Sequence, residues 1–471
     1  MTSPSPMTSF TNHTFDQVAL GDTVTVAHTV TRDEVELLAL VSGDANPFTS
    51  SDDVRGALPG VPPACEGVSA EALIHGVLKR RLPGPGTVIL SHELVYDGQA
   101  SVGDQLLATV TLVDKQPPDR LVFDCDVTRG HDTLLKGRVA VRAPASNLTV
   151  DHRDTSSVIL RRNDVFARLF RHCEGQPPVV CAVVHPCDRE ALAGALEAAR
   201  HGLIEPVLVG PQAKIRAVAT EAGWDLSPYR LVDTEHSHAA ASAAVAMARA
   251  GEVQALMKGS LHTDELMGAV VDATHGLRTG RRISHVFVMD VPAYPRMLMV
   301  TDAAVNIAPS IRDKVDIVQN AIDLAHILGV AEPKVAILAA VETVNPAMQA
   351  TIDAAMLCKM ADRGQITGGL VDGPLAFDNA ISVEAARTKK IRSQVAGLAD
   401  ILVVPDLEAG NMVAKQLQYL AGADSAGIVL GTRVPIVLTS RADSVRMRLA
   451  SAAVLKLVAH ARAQAAAQRP Q

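Results

Sequence analysis

The residues best placed for chemistry are polar groups that directly follow apolar runs. They occur in MKGSLHTDE (Met257 to Glu265), GLRTGRR (Gly276 to Arg282), TDAAVNIAP (Thr301 to Pro309), VDGPLAFDNA (Val371 to Ala380), PDLEAGN (Pro405 to Asn411) and TSRADS (Thr439 to Ser444). Most of these segments fall between a strand and a helix. A helix N-terminus presents unpaired N–H groups and the positive end of its dipole, so such turns suit phosphate or carboxylate ligands. Taken singly, Asp443, Ser444, Thr263 and Asp406 read as helix caps and turn formers, the commoner use of these residue types. Arg278, Arg281 and Arg282, taken singly, read as a solvated basic face.

The elements that must position these turns are legible from about residue 158 onward. Apolar runs such as PVVCAVVH, PVLVG, VQALMKG, SHVFVMDV, KVAILAAV, DILVVPD, SAGIVLG and VPIVLTS alternate with Ala-rich helical segments. Near-continuous apolar strands predict a sheet covered by helices on both faces. In open α/β sheets of that kind, ligands bind in the crevice beyond the strand ends. Residues from about Phe15 to Arg142 follow another grammar. TVTVAHTVT, GTVILSHELVY, DQLLATVTLVD and RLVFDCDVT are short alternating segments that read as antiparallel strands, with one helical stretch at Val68 to Leu78. This is an α+β pattern. APASNLTVDHRDTSS (Ala143 to Ser157) fits neither pattern and reads as a linker. The predicted organisation is a domain at 15–142, a linker at 143–157 and an α/β domain at 158–471.

Composition bounds the function. A chain of 471 residues exceeds what one core serves, so two or three domains are expected. Aromatic residues are only 3%, which leaves Ala, Val, Leu and Ile to build the cores and suits helices packed on parallel strands. The formal net charge of −7 carries no basic footprint for nucleic acid, and no Lys/Arg run suggests an anionic membrane surface. The first residues show no signal-peptide pattern, and no stretch of about 18 apolar residues occurs, so a cytoplasmic protein is expected. The six cysteines form no CxxC pair and read as buried or idle thiols. No metal ligand set is evident.

The ordered series LMKG, GLRTGRRISHV, TDAAVNIAPS, KVAILAAVETVNPAMQATIDAA, KMADRGQITGGLVDGPLAFDNAIS, DILVVPDLEAGN and PIVLTSRADS resembles the phosphate acetyl/butyryl transferases over about Val179 to Ala459. The resemblance is especially close to the butyryl-type branch. It implies an α/β phosphotransacylase fold of two subdomains, similar to that of isocitrate dehydrogenase, with acyl transfer in the cleft between them. It also implies a homo-oligomer whose partners are acyl-CoA and inorganic phosphate. No cofactor is implied, coenzyme A being a substrate. An oxidoreductase of the isocitrate-dehydrogenase kind is disfavoured, since neither a GxGxxG after the first strand nor an acidic metal triad is evident.

Roles carried over from the family fall on particular residues. A phosphate dianion needs neutralising, which Arg does best through its bidentate fork. The family's Ser-Arg pair matches Ser440 and Arg441, the serine to hydrogen-bond the tetrahedral intermediate and the arginine to hold phosphate. Arg278 matches a second phosphate-side arginine, and Lys258 and Asn411 join it as substrate-binding candidates. Acetyl-type members have an aspartate six residues after the arginine of the Ser-Arg pair, but here that position is Met447. Asp443 is a substitute candidate for the base and also a candidate N-cap. Acetyl and butyryl both remain open as the acyl group, with acetyl preferred.

VSGDANPFTSSDD, followed by PPACEGVSAEALIHGVLKRRLPGPGTVILSHELVY, resembles the MaoC-like R-specific enoyl-CoA hydratases, which have a hot-dog fold. The family motif places an Asp and a His around Asn-Pro to activate water. Asp44 and Asn46 are present, but the His position is Thr49, which has no useful basicity near neutral pH. The usual Ala-His-Gly appears as Cys65-Glu66-Gly67, and His75 and His92 read as surface or satisfied residues. The expected domain keeps the scaffold without efficient hydration and serves oligomerisation. Two alternatives remain: a bifunctional hydratase and transferase, and a CoA-sensing scaffold.

Overall fold

The computed structural model describes residues 9–31, 34, 35, 37, 38, 41, 64, 65, 68–151, 164–438 and 443–468. The chain divides into two compact units, residues 1–160 and 161–471. Asp44, Asn46 and Thr49 lie outside the described residues, as do Ser440 and Arg441.

The first unit comprises β1 (Ser9–Thr11), β2 (Thr23–Thr29), β3 (Ala64–Cys65), α1 (Val68–Arg80), β4 (Val88–Tyr96), β5 (Ala100–Ser101), β6 (Gln105–Gln116), β7 (Arg120–Arg129), β8 (Asp132–Arg142) and β9 (Thr149–Asp151). Five of the strands form an antiparallel sheet in the order β2-β6-β7-β8-β4. Period-two alternation decides which face is buried. Leu106, Ala108, Val110 and Leu112 of β6 point inward. On the other face the Thr23 and Thr111 hydroxyls meet at 3.0 Å and those of Thr25 and Thr109 at 3.1 Å. Ile74, Val77 and Leu78 of α1 bury against Leu121, Phe123 and Leu135. A sheet packed on one helix in this way is the hot-dog arrangement that the MaoC-like resemblance implies.

The beginning of the predicted linker belongs to this unit. β1 pairs with β9, and Asn12 donates to the carbonyls of Pro85 and Ser146, both at 2.9 Å. The Asn12 side-chain oxygen also accepts from the backbone of Leu148 at 2.7 Å. A small polar run is therefore held by backbone pairing that composition alone does not reveal.

The second unit opens with α2 (Asp164–Cys173), β10 (Val179–Val184), α3 (Arg189–Arg200), β11 (Ile204–Gly210), α4 (Gln212–Ala222), β12 (Arg230–Asp233), α5 (Ser237–Ala250), β13 (Ala255–Lys258) and α6 (Thr263–Val271). It continues with β14 (Ser284–Asp290), β15 (Leu298–Thr301), α7 (Ile311–Ile327), β16 (Lys334–Leu338), α8 (Gln349–Asp362), β17 (Leu370–Leu375), α9 (Phe377–Ile381) and α10 (Val383–Thr388). The last elements are β18 (Ile401–Val403), α11 (Leu407–Tyr419), β19 (Asp424–Leu430), β20 (Ile436–Val437) and α12 (Val445–Ala467).

One eleven-stranded sheet runs β12-β11-β10-β13-β20-β19-β14-β15-β18-β16-β17. Two parallel wings, β12 to β20 and β15 to β17, flank antiparallel pairings of β20 with β19, β19 with β14 and β14 with β15. Every residue of α12 from Ala450 to Ala459 is buried, which makes it an interior helix. Its Lys456 is 2% exposed, and its ammonium donates to the carbonyls of Cys173, Gln176 and Gly202 at 3.1, 2.8 and 2.9 Å. Cys173 ends α2 and Gly202 follows α3, so this cation meets the negative ends of two helix dipoles.

Candidate active site

In the first wing the chain runs outward from β10 to β11 and β12, then returns to place β13 on the other side of β10. Such a reversal opens a crevice at the carboxyl ends of the two central strands. His185 follows β10 and Lys258 ends β13. Their loops are pinned together. Ser260 donates its N–H to the His185 carbonyl at 2.9 Å, its hydroxyl donates to the same oxygen at 2.7 Å, and that hydroxyl accepts from Cys187 N at 3.0 Å. The Ser260 Oγ also stands 3.4 Å from His185 Nδ1.

His185 adopts φ 57°, an uncommon conformation for a residue with a Cβ, and burial lowers its pKa with help from Lys214. Strain of this kind gathers at functional sites. Neither His185 nor Ser260 was singled out from the sequence. The available signal was position: His185 closes the apolar run PVVCAVVH, and Ser260 lies two residues beyond Lys258. Lys258 itself is buried, with its ammonium 3.3 Å from the Gly259 carbonyl.

The helices beyond this crevice begin as local chemistry dictates. Asp188 caps α3 by accepting from Ala191 N at 2.7 Å. β20 lies beside β13, with Met257 opposite Val437, and leads the chain toward α12 through the segment that carries Ser440 and Arg441. Ser444 caps α12, accepting from Met447 N at 3.2 Å. The N-cap considered for Asp443 is therefore corrected by one residue, because the Ser444 hydroxyl is the group that reaches the first turn. Asp443 is half-buried just before that cap. Thr263 is likewise the first residue inside α6, whose N-cap is His262. Asp406 is a cap as expected, accepting from Ala409 N at 2.9 Å.

Arg278 lies on a loop fastened to the C-terminal end of β19. It bridges Thr432, while Arg433 N donates to the Leu277 carbonyl at 2.9 Å and the Thr279 hydroxyl donates to Gly431 O at 2.7 Å. Its side chain is exposed and donates to the Val271 carbonyl. Arg281 and Arg282 are instead engaged by α7 and the loop before it. Arg281 pairs with Asp323, and Arg282 donates to Asn306 Oδ1 at 2.7 Å and approaches Asp313 at 3.5 Å. Of the three arginines, Arg278 is the one that no carboxylate pairs among the described residues.

The segments TDAAVNIAP and PDLEAGN meet beyond the adjacent strands β15 and β18. Asn411 donates weakly to the Ala303 carbonyl at 3.5 Å, and Leu407 N donates to Ile307 O at 3.1 Å. The buried Asp302 accepts from the N–H groups of Ala304, Val305 and Asn306 at 3.0 to 3.1 Å. Its carboxylate thus folds its own loop, although burial still raises its pKa. Among the described residues no hydrogen bond or ion pair joins Arg278, Lys258 and Asn411 to one another.

In the first unit, β2 and α1 flank a cavity of about 390 Å3 lined by Val26, Leu73 and Val77, together with Arg80 and the hydrogen-bonded His28 and Glu34. His75 and His92, read from the sequence as surface or satisfied residues, lie together with their ring centres 5.8 Å apart. Both face Glu71, which accepts from the Tyr96 hydroxyl at 2.5 Å. That hydrogen bond to an acid pushes the Tyr96 pKa up to about 12, whereas burial lowers that of His75.

Comparison with known proteins gives this geometry a family. Residues 237–455 match the family described as "Phosphate acetyl/butaryl transferase". The chain is 63% identical over 294 residues to a phosphate acetyltransferase of Rhizobium meliloti, covering 62% of this chain and 93% of that relative. It is 42% identical over 278 residues to a phosphate butyryltransferase of Clostridium acetobutylicum, covering 59% and 92%. A crystal structure of a branched-chain phosphotransacylase from Enterococcus faecalis V583 superposes with a TM-score of 0.53 at 30% identity, covering 59% of this chain and 99% of that one. No described helix is long and apolar enough to cross a membrane. The chain belongs to the phosphate acetyl/butyryl transferase family and is an acyltransferase.

Proposed function

We propose that the second unit transfers a short acyl group, acetyl foremost, between coenzyme A and inorganic phosphate. The observation that carries this reading is the 63% identity to a phosphate acetyltransferase along nearly that relative's whole length, against 42% to a butyryltransferase. A phosphate oxygen attacks the thioester carbonyl, a C–O bond forms, the C–S bond breaks and CoA leaves as thiolate. In reverse, the thiolate attacks the acyl phosphate. Arg441 and Arg278 neutralise phosphate, Ser440 hydrogen-bonds the tetrahedral oxyanion, and Lys258 and Asn411 bind substrate. Asp443 is the candidate base for the CoA thiol, in place of the aspartate that Met447 replaces.

The chemistry requires coenzyme A as substrate and no further cofactor, and the enzyme acts in the cytoplasm as a homo-oligomer. The first unit serves assembly. With Thr49 where a base is needed, it hydrates crotonyl-CoA poorly.

Arg441→Ala and Arg441→Lys test the assignment. Loss of an oxyanion-stabilising group costs about 10²–10³ in turnover. The expected result is that fall in Arg441→Ala together with a raised KM for phosphate, and a milder defect in Arg441→Lys, which lacks the bidentate fork. Near wild-type kinetics in both variants would remove Arg441 from the phosphate site.

A further inference from the structure

We propose that Glu71, His75 and His92 form a binding site for a divalent transition-metal ion of the zinc type. Helical periodicity sets two of the donors side by side, and the packing of α1 on the sheet brings in the third. Glu71 and His75 are four apart on α1 and share a face of that helix, while His92 and Tyr96 share a face of β4, the edge strand of the sheet. One ligand atom from each of Glu71, His75 and His92 lies within 4.8 Å of the other two. His75 Nε2 is 3.8 Å and His92 Nδ1 is 3.5 Å from the same oxygen, Glu71 Oε1.

These separations are too long for hydrogen bonds to an imidazole N–H. They suit an ion between the groups, because tetrahedral zinc with bonds of about 2.1 Å sets its donors roughly 3.4 Å apart. Among the described residues the imidazole nitrogens that face Glu71 Oε1 approach it without a hydrogen bond, and the close contact of that carboxylate is with Tyr96 on its other oxygen. Among the described residues His75 Nε2 has no hydrogen-bond partner and is sealed from solvent, an expensive state for a polar atom. A metal bond at that nitrogen removes the deficit.

The surrounding groups fit the same reading. The Tyr96 hydroxyl holds Glu71 Oε2 at 2.5 Å and leaves Oε1 toward the two imidazoles. Outer hydrogen bonds of this sort orient a ligating carboxylate. Two imidazoles and one carboxylate favour zinc, cobalt or nickel over magnesium and calcium, which prefer oxygen donors alone. His92 is 46% exposed, so an ion can enter from solvent, and three protein ligands leave a fourth position for water.

The test uses the full chain, stripped with a chelator and titrated with Zn(II) by equilibrium dialysis and with Co(II) by visible absorption. One equivalent of Zn(II) per chain and a tetrahedral Co(II) spectrum are expected, both lost in His75→Ala and His92→Ala. Tyr96→Phe keeps the stoichiometry and weakens binding about 10–100-fold. His92 is exposed on an edge strand, so His92→Ala decides the matter even if His75→Ala folds poorly. Absence of a bound equivalent in the wild type, or equal binding in wild type and His92→Ala, overturns the site and leaves an ordinary carboxylate–histidine cluster.

Discussion

Gly259 donates its N–H to the Val184 carbonyl at 2.8 Å, and a Cβ at Gly259 would stand 2.5 Å from that same oxygen. The His185 carbonyl would be 2.6 Å away. Both obstacles are backbone, so a side chain forces the strand ends apart instead of being absorbed by a rotamer. Gly259→Ala should displace Lys258 and Ser260, and a misplacement of about 1 Å costs on the order of 10²-fold in rate. Steady-state acyl transfer with circular dichroism as a folding control checks this. Wild-type turnover in a folded Gly259→Ala protein would separate the crevice from catalysis.

A second prediction concerns Lys314 and Asp353, which pair at 2.7 Å with side chains only 6% and 8% exposed. Gln349 donates to the other Asp353 oxygen at 2.8 Å. Removing one partner strands a buried charge, so Asp353→Ala should cost about 3–5 kcal/mol. Replacing both residues by apolar ones of similar volume, as Lys314→Met with Asp353→Leu, should recover most of that loss. Urea unfolding of the wild type and these two variants checks the pair, and equal stability of the single and double variants would refute it.

The third prediction is a pH dependence. His285 is fully buried on β14, packed edge-on to Phe287 at 4.4 Å, and burial brings its pKa from 6.5 down to about 4. Between those values the unfolded chain binds a proton that the folded chain refuses, so stability rises with pH across that window. The contribution is complete above pH 6.5 and is lost as pH falls toward 4, by roughly 3 kcal/mol in all. His285→Leu should flatten this part of the profile, as read by urea unfolding from pH 4.5 to 7. An unchanged slope would show that other groups carry it.

Legibility in the sequence followed the range of the interaction. Val179 to Val184 announced a buried strand because every residue there is apolar, and the alternation in β6 announced a half-buried one. The order β13-β20-β19-β14 was not readable, since it joins strands far apart in the chain. Asp406 was recognisable as a cap, while Asp443 and Ser444 could be separated only by seeing which oxygen reaches Met447. The meeting of His75 with His92 depends on how α1 lies across the sheet, and no periodicity encodes that. Arg278 was marked by its motif, but that Arg281 and Arg282 are taken up by carboxylates of α7 emerged only from the packing of that helix.

The most direct measurement is formation of free CoA from acetyl-CoA on addition of inorganic phosphate, set beside propionyl- and butyryl-CoA and beside crotonyl-CoA hydration by the same protein. Phosphate-dependent CoA release with acetyl-CoA as the best substrate, and little hydration, is the predicted result. No phosphate-dependent release from any of the three acyl-CoA substrates would contradict the proposed acyl transfer, and a butyryl preference would contradict the choice of acetyl.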